Sequence, residues 1–151
     1  MEFPFSSVVI SLHVHATEDE QKVLELLRSF LPASVEVRKS HLTGHHGNPI
    51  SVLEARVGQK KELRELWRSI QMKMDEAAVS YLRKAVRERI DDSCFLYLRF
   101  DKQAACEGRL VLTELGESIH IKFKVISFPA KRDVAVARVM EFLEASRNHE
   151  V

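Results

Sequence analysis

Three groups of residues in this chain have the types and spacing to do chemistry. Between residues 59 and 90, nine cations (Lys60, Lys61, Arg64, Arg68, Lys73, Arg83, Lys84, Arg87 and Arg89) stand against five carboxylates, Glu62, Glu65, Asp75, Glu76 and Glu88. Lys60, Arg64 and Arg68 recur every fourth residue, so on a helix they would form one stripe with Lys61 beside it. Such a stripe can neutralise phosphates, and it can equally be an ordinary solvated helix face. In the second group, Phe95, Tyr97 and Arg99 alternate with Leu96, Leu98 and Phe100, while Lys122 and Lys124 alternate with Ile121, Phe123 and Val125. If both segments are strands of one sheet, Tyr97, Arg99, Lys122 and Lys124 could share its outer face. Rings set among cations suit stacked bases and phosphates. The plainer alternative is that Phe95 and Tyr97 pack beneath a helix.

The third group is a loop at residues 44–49. Gly44 and Gly47 have no Cβ to keep a phosphate away from their backbone N–H groups. Pro49 restricts Asn48 to extended geometry, and His45 and His46 add donors. The same composition also suits a long hairpin turn. His13 and His15 would share a strand face, and with His41 they offer three imidazoles. No carboxylate or thiolate completes a known zinc spacing, so neither a metal nor a cofactor is assigned. Cys94 and Cys106 satisfy the residue type of a nucleophile and nothing more. No GxGxxG, P-loop, HExxH or GxSxG occurs, and no catalytic residues are assigned.

The elements that must position these groups follow from periodicity. Val8, Ile10, Leu12 and Val14 alternate with polar neighbours, which predicts a strand. Thr17 and Glu20 form a capping-box pattern before an amphipathic helix that Pro32 ends. Residues 34–43 and 50–57 read as two strands of a hairpin. A helix from Lys60 would bury Leu63, Leu66, Trp67 and Ile70. A second, capped by Asp75, would bury Ala78, Leu82, Ala85 and Val86. Residues 94–100 read as a strand, with Asp101 capping a short turn. Residues 109–113 and 118–128 read as a further hairpin, and a last helix over residues 131–146 turns Val136, Met140 and Leu143 inward. The expected order is β-α-β-β-α-α-β-β-β-α, an α+β fold with a mainly antiparallel sheet and helices packed on it.

The chain has 151 residues, 45% hydrophobic and 30% charged. That is a globular mixture with the length of one domain, residues 1–151. The net charge of +1 selects no partner, so any footprint for a polyanion must be local. The charge-free run from residue 3 to 17 is too short to span a bilayer. No positive region precedes it, as a signal peptide would need. Two cysteines make no disulfide framework. The reading is a cytoplasmic protein with no membrane attachment.

Residues 15–20 (HATEDE), 44–50 (GHHGNPI) and 98–105 (LRFDKQAA) together resemble an archaeal family of RNA-binding proteins associated with the exosome. That family is similar in fold to the large-subunit ribosomal protein that contacts 5S ribosomal RNA. The resemblance extends over nearly the whole chain and brings no catalytic residues. The family often has an aromatic residue where this chain has His46, whose imidazole can still stack. It implies a noncatalytic RNA-binding protein in RNA processing or ribosome-related metabolism, with exosome or ribosomal components as partners. Phosphate contacts would come from Lys60, Lys61, Arg64 and Arg68, or from Lys122 and Lys124. A protein-interaction or assembly module, such as a homodimer, is the second reading, and a metal-dependent hydrolase the third.

Overall fold

The computed structural model describes residues 2–43 and 47–148, with side chains as far as residue 145. Gly44, His45 and His46 of the loop therefore lie outside the described residues. The elements run β1 (Phe5–His15), α1 (Glu20–Arg28), β2 (Val37–Thr43), β3 (Pro49–Val57), α2 (Lys60–Met72), α3 (Glu76–Arg89), β4 (Phe95–Asp101), α4 (Lys102–Cys106), β5 (Ser118–Val125) and α5 (Arg132–Asn148). The five strands form one sheet in the order β2-β3-β1-β5-β4, and every neighbouring pair is antiparallel. The fold is the expected α+β sheet with helices packed on it. No helix among the described residues is long and apolar enough to cross a membrane.

Period two in the strands decides which face the helices cover. Val8, Ile10, Leu12 and Val14 of β1 are buried, as are Leu53, Ala55 and Val57 of β3, Leu96, Leu98 and Phe100 of β4, and Ile119, Ile121, Phe123 and Val125 of β5. The same core takes Leu63, Leu66, Trp67 and Ile70 from α2 and Leu82, Ala85 and Val86 from α3. All of these helix positions agree with the sequence pattern. Each of the larger aliphatic and phenylalanine side chains contributes about 1.5–3 kcal/mol when fully buried. Phe5 joins sheet to helices, with ring centroids 4.7 Å from Phe123 and 5.6 Å from Trp67. Such aromatic pairs add about 0.5–1.5 kcal/mol beyond area burial.

Four expectations are corrected. First, α1 starts later than the capping-box pattern suggests. Asp19, not Thr17, is its N-cap and accepts from the Gln21 N–H, because Glu18 is drawn off to the His15 N–H and Glu20 to Lys39. Second, β2 begins at Val37, after a turn closed by the Val35 N–H on the Pro32 carbonyl. Third, residues 109–113 form no hairpin with the strand after them. They run along the outer edge of β4, where Asp101 N–H meets the Val111 carbonyl at 2.8 Å and Thr113 N–H meets that of Arg99 at 2.9 Å. Asp101 caps α4 through the Ala104 N–H, so the order is β-α-β-β-α-α-β-α-β-α. Fourth, α5 buries Ala135, Val139 and Leu143, with Val136 and Met140 only partly buried beside them.

Candidate nucleic-acid interface

The other face of the sheet keeps its side chains half-buried or exposed, apart from Ser118 at its end, which is buried. Strand register places its residues in rows. Ser7, Lys124 and Phe95 form one row and Val9, Lys122 and Tyr97 the next. Ser11, His120 and Arg99 form a third, extended on the far side by Glu54 and Arg38. Tyr97, Arg99, Lys122 and Lys124 do share one face, and among the described residues no helix covers Phe95 or Tyr97. Among the charged strand residues of this face, Arg38, Arg56, Arg99, Lys122 and Lys124 stand against Glu54 and Asp101.

At one end of this face, rings and ammonium groups interleave. The Lys122 ammonium lies 4.1 Å from the centroid of the Phe95 ring and 5.6 Å from that of Tyr97. The Lys124 ammonium lies 4.4 Å from the Phe95 ring. The two rings are 6.4 Å apart, centroid to centroid. Tyr97 is 41% exposed, a large amount of aromatic surface for a strand residue. Lys124 also donates to the Ser93 carbonyl at 2.6 Å, which leaves Lys122 the freer cation. Cation–π attraction holds both ammonium groups over the rings without neutralising them.

At the other end is a polar cleft of about 260 Å³, lined by residues of β1, β4 and β5, by Lys102 and by the loop before β5. Arg99 builds its wall. Its guanidinium donates from Nε to Ser118 Oγ at 3.1 Å, from Nη1 to the Glu114 carbonyl at 3.0 Å and from Nη2 to the Gly116 carbonyl at 3.1 Å. Those bonds fix the loop that carries Leu115, 82% exposed, at its tip. Ser118 Oγ also meets His120 Nε2 at 3.2 Å. Partial burial, helped by the positive charge of Arg99 and by His13, holds the His120 imidazole below its ordinary pKa.

The floor of the cleft is an ion-pair cluster. Lys102 is only 5% exposed. Its ammonium donates to Glu18 and to the His13 carbonyl, each at 2.8 Å, and lies 3.9 Å from Glu117. His15 Nε2 lies 2.8 Å from the Glu117 carboxylate. His15, Glu18 and Glu117 could each offer a metal ligand atom, all within 4.8 Å of one another. A dication there would face the Lys102 ammonium at ion-pair distance, a strong repulsion at low dielectric. The histidines considered together in the sequence are not all on one face. His41 stands opposite Ser51 in β2, in register with the helix-covered side, whereas His13 and His15 stand opposite Val52 and Ile50 on the open side.

Lys60, Lys61, Arg64 and Arg68 are exposed on α2, in the helix layer and on the opposite side of the molecule from Lys122. The Arg64 guanidinium lies 5.9 Å from the Phe3 ring. The local excess counted from sequence is reduced by partners elsewhere in the chain. Arg83 pairs with Glu144 and Arg89 with Glu114. Gly47, with φ of 78°, and Asn48 are exposed at the described end of the loop. Sequence reasoning singled out neither Ser118 nor His120 as a site residue. The alternation of β5 marks them, but only the register against Arg99 and Ser11 shows that they meet other polar groups.

Comparison with known proteins adds a family to this geometry. A family model described as RNA binding matches residues 7–125. An RNA-binding protein of Pyrococcus abyssi is 33% identical over 143 residues, which cover 91% of this chain and 93% of that protein. An uncharacterised protein of Methanocaldococcus jannaschii is 35% identical over 133 residues, covering 83% of this chain and 88% of the relative. The solved structure of a DUF54 protein from Methanothermobacter thermautotrophicus is similar with a TM-score of 0.80 at 35% identity. That match covers 93% of this chain and 99% of the other.

Proposed function

The chain belongs to this RNA-binding family, and on that premise we propose that it binds single-stranded RNA along the open face of its sheet. It does so without catalysing a reaction, in RNA processing or ribosome-related metabolism. The observation that carries the reading is the interleaving of Phe95 and Tyr97 with Lys122 and Lys124 on an uncovered sheet face. A base can stack on the exposed Tyr97 ring while the neighbouring ammonium groups meet phosphate. A duplex would demand a broad phosphate-spaced surface, whereas this patch is two rings wide and suits unstacked bases. The near-neutral chain adds little long-range attraction, so affinity would come from these local contacts.

Photocrosslinking to cellular RNA, followed by peptide mapping, tests the surface. The reading expects crosslinks on the β4 and β5 peptides that hold Phe95, Tyr97 and Lys122. Crosslinks confined to the α2 peptide would move the RNA to the helix layer and to Lys60, Lys61, Arg64 and Arg68. An exosome or ribosomal partner, which the sequence resemblance implies, belongs to the same proposal. Co-purification of such components, sensitive to ribonuclease, is the expected result.

A further inference from the structure

The cleft beside His120 differs in chemistry from the aromatic patch that adjoins it. Its two cations are held in place by bonds within the protein. The Arg99 guanidinium spends three of its five N–H donors on Ser118 and the loop carbonyls, which orient it as the cleft wall, and the Lys102 ammonium holds Glu18 and the His13 carbonyl. The Glu117 carboxylate is 58% exposed at the rim and lies 2.8 Å from His15 Nε2, which leaves it further lone-pair sites for a donor. A phosphate placed here would meet that carboxylate at the rim, while the Lys102 charge is already paired with Glu18. A hydroxyl group, which is donor and acceptor in one atom, suits a cleft lined by an imidazole and a hydroxyl with a carboxylate at its rim far better.

The cleft is also close to the stacking surface. His120 and Lys122 lie two residues apart on β5, a rise of about 7 Å, and Lys122 stands directly opposite Tyr97. A nucleotide whose base stacks on Tyr97 therefore carries its own ribose, or its neighbour's, towards His120. The 2′-hydroxyl is the group by which a protein tells RNA from DNA.

We propose that the cleft formed by His120, Ser118 and Glu117 is a ribose-reading site that takes a 2′-hydroxyl and makes the open face prefer RNA to single-stranded DNA. The inference rests on the open face being the nucleic-acid surface. In it, the imidazole and the Glu117 carboxylate bond the hydroxyl, and Arg99 is a positioning residue that fixes Ser118 and the loop.

Fluorescence anisotropy with a labelled single-stranded RNA octamer and the DNA of matching sequence, at one salt concentration, tests it. Wild type should bind the RNA about five- to tenfold more tightly, the worth of one or two hydrogen bonds. A scan of single 2′-deoxy substitutions along the RNA should then show one sensitive position. His120→Ala and Glu117→Ala change exposed side chains and should fold; each should collapse the RNA-to-DNA ratio towards one. Lys122→Glu should weaken both nucleic acids together. Equal wild-type affinities, or a ratio unmoved in both cleft variants, would overturn the ribose site while the Lys122→Glu loss keeps the open face in place. If Lys122→Glu changes neither affinity, the open face itself is wrong and the ribose site falls with it.

Discussion

The Lys102 ammonium lies 2.7 Å from one oxygen of the Glu18 carboxylate and 2.8 Å from the other. This pair joins two of the three segments that carry the sequence resemblance, residues 15–20 and 98–105, although they are far apart in the chain. The lysine begins α4 and the glutamate precedes α1, so one contact ties the end of β1 to the end of β4 across β5. A lysine buried this deeply needs every donor matched. Glu18 and the His13 carbonyl do that, and the result is the floor of the cleft at the end of the open face.

Lys102→Met should therefore destabilise the fold by about 2–3 kcal/mol. The cost is somewhat below the ~3–5 kcal/mol of a fully buried broken pair, because the Glu18 side chain is 26% exposed. Denaturant unfolding should show a lower midpoint at an unchanged slope. The double change with Glu18→Met should recover part of the loss, since two apolar side chains leave no unpaired charge. A single variant as stable as wild type would mean that Lys102 leaves its partners in solution.

The same pair makes stability fall in acid. Burial opposes the Glu18 carboxylate, but the His15 N–H and Lys102 outweigh it and hold the carboxyl below its ordinary value of 4.5. The unfolded chain thus takes up a proton first as the pH falls. The contribution of Glu18 is complete above about pH 5 and disappears as the pH drops through the lower folded value. Glu18→Gln should be less stable at neutral pH and should lose less stability between about pH 5 and pH 3. Glu20, which its bond to Lys39 holds low, titrates in both proteins and cancels. Melting curves across that range decide it, and parallel pH profiles would show that Glu18 is not the acid-sensitive group.

Much of this arrangement was legible in the sequence, because period two in a strand is a local property. The alternation in residues 95–100 and 119–125 alone separates Tyr97, Arg99, Lys122 and Lys124 from the core side chains. It does not say whether a helix lies over them; that depends on which way α2, α3 and α5 cross the sheet, a nonlocal outcome of packing. The Lys102 cluster was illegible for the same reason, since its members are distant in sequence and, His15 apart, none stands out by type. Residues 109–113 misled because an apolar run beside a sheet edge reads as a strand, although only two backbone bonds to β4 form there. The Thr17 capping box failed because tertiary partners claimed Glu18 and Glu20 before a local cap could.

Tyr97→Ala should weaken single-stranded RNA binding by about 1–3 kcal/mol, the worth of one stacked base. Tyr97→Phe should keep most of the affinity, because stacking uses the ring and not the hydroxyl. The tyrosine side chain is 41% exposed, so neither change should alter the melting temperature by much. Titration of a labelled oligonucleotide against all three proteins gives the answer. Equal loss in the Phe and Ala variants would assign the affinity to the hydroxyl and remove stacking from the account.

The two cationic surfaces lie on opposite layers, and salt dependence separates them. Binding to a single strand releases counterions in proportion to the phosphates neutralised, with a slope of about −0.7 per phosphate in log affinity against log salt. If RNA runs over the open face, Lys122→Glu with Lys124→Glu should flatten that slope by up to about 1.4. Lys122 should account for the larger part, since Lys124 is tethered to the Ser93 carbonyl. Reversal of Lys60, Arg64 and Arg68 to Glu should leave the slope nearly unchanged, because a short strand cannot reach around the sheet to α2. These side chains are exposed off the apolar arc of their helix, so the triple variant should fold. Affinities measured at four salt concentrations for wild type and both variants complete the test. A slope that flattens in the α2 variant and not in the sheet variant would place RNA on the helix layer and leave Phe95 and Tyr97 without a ligand.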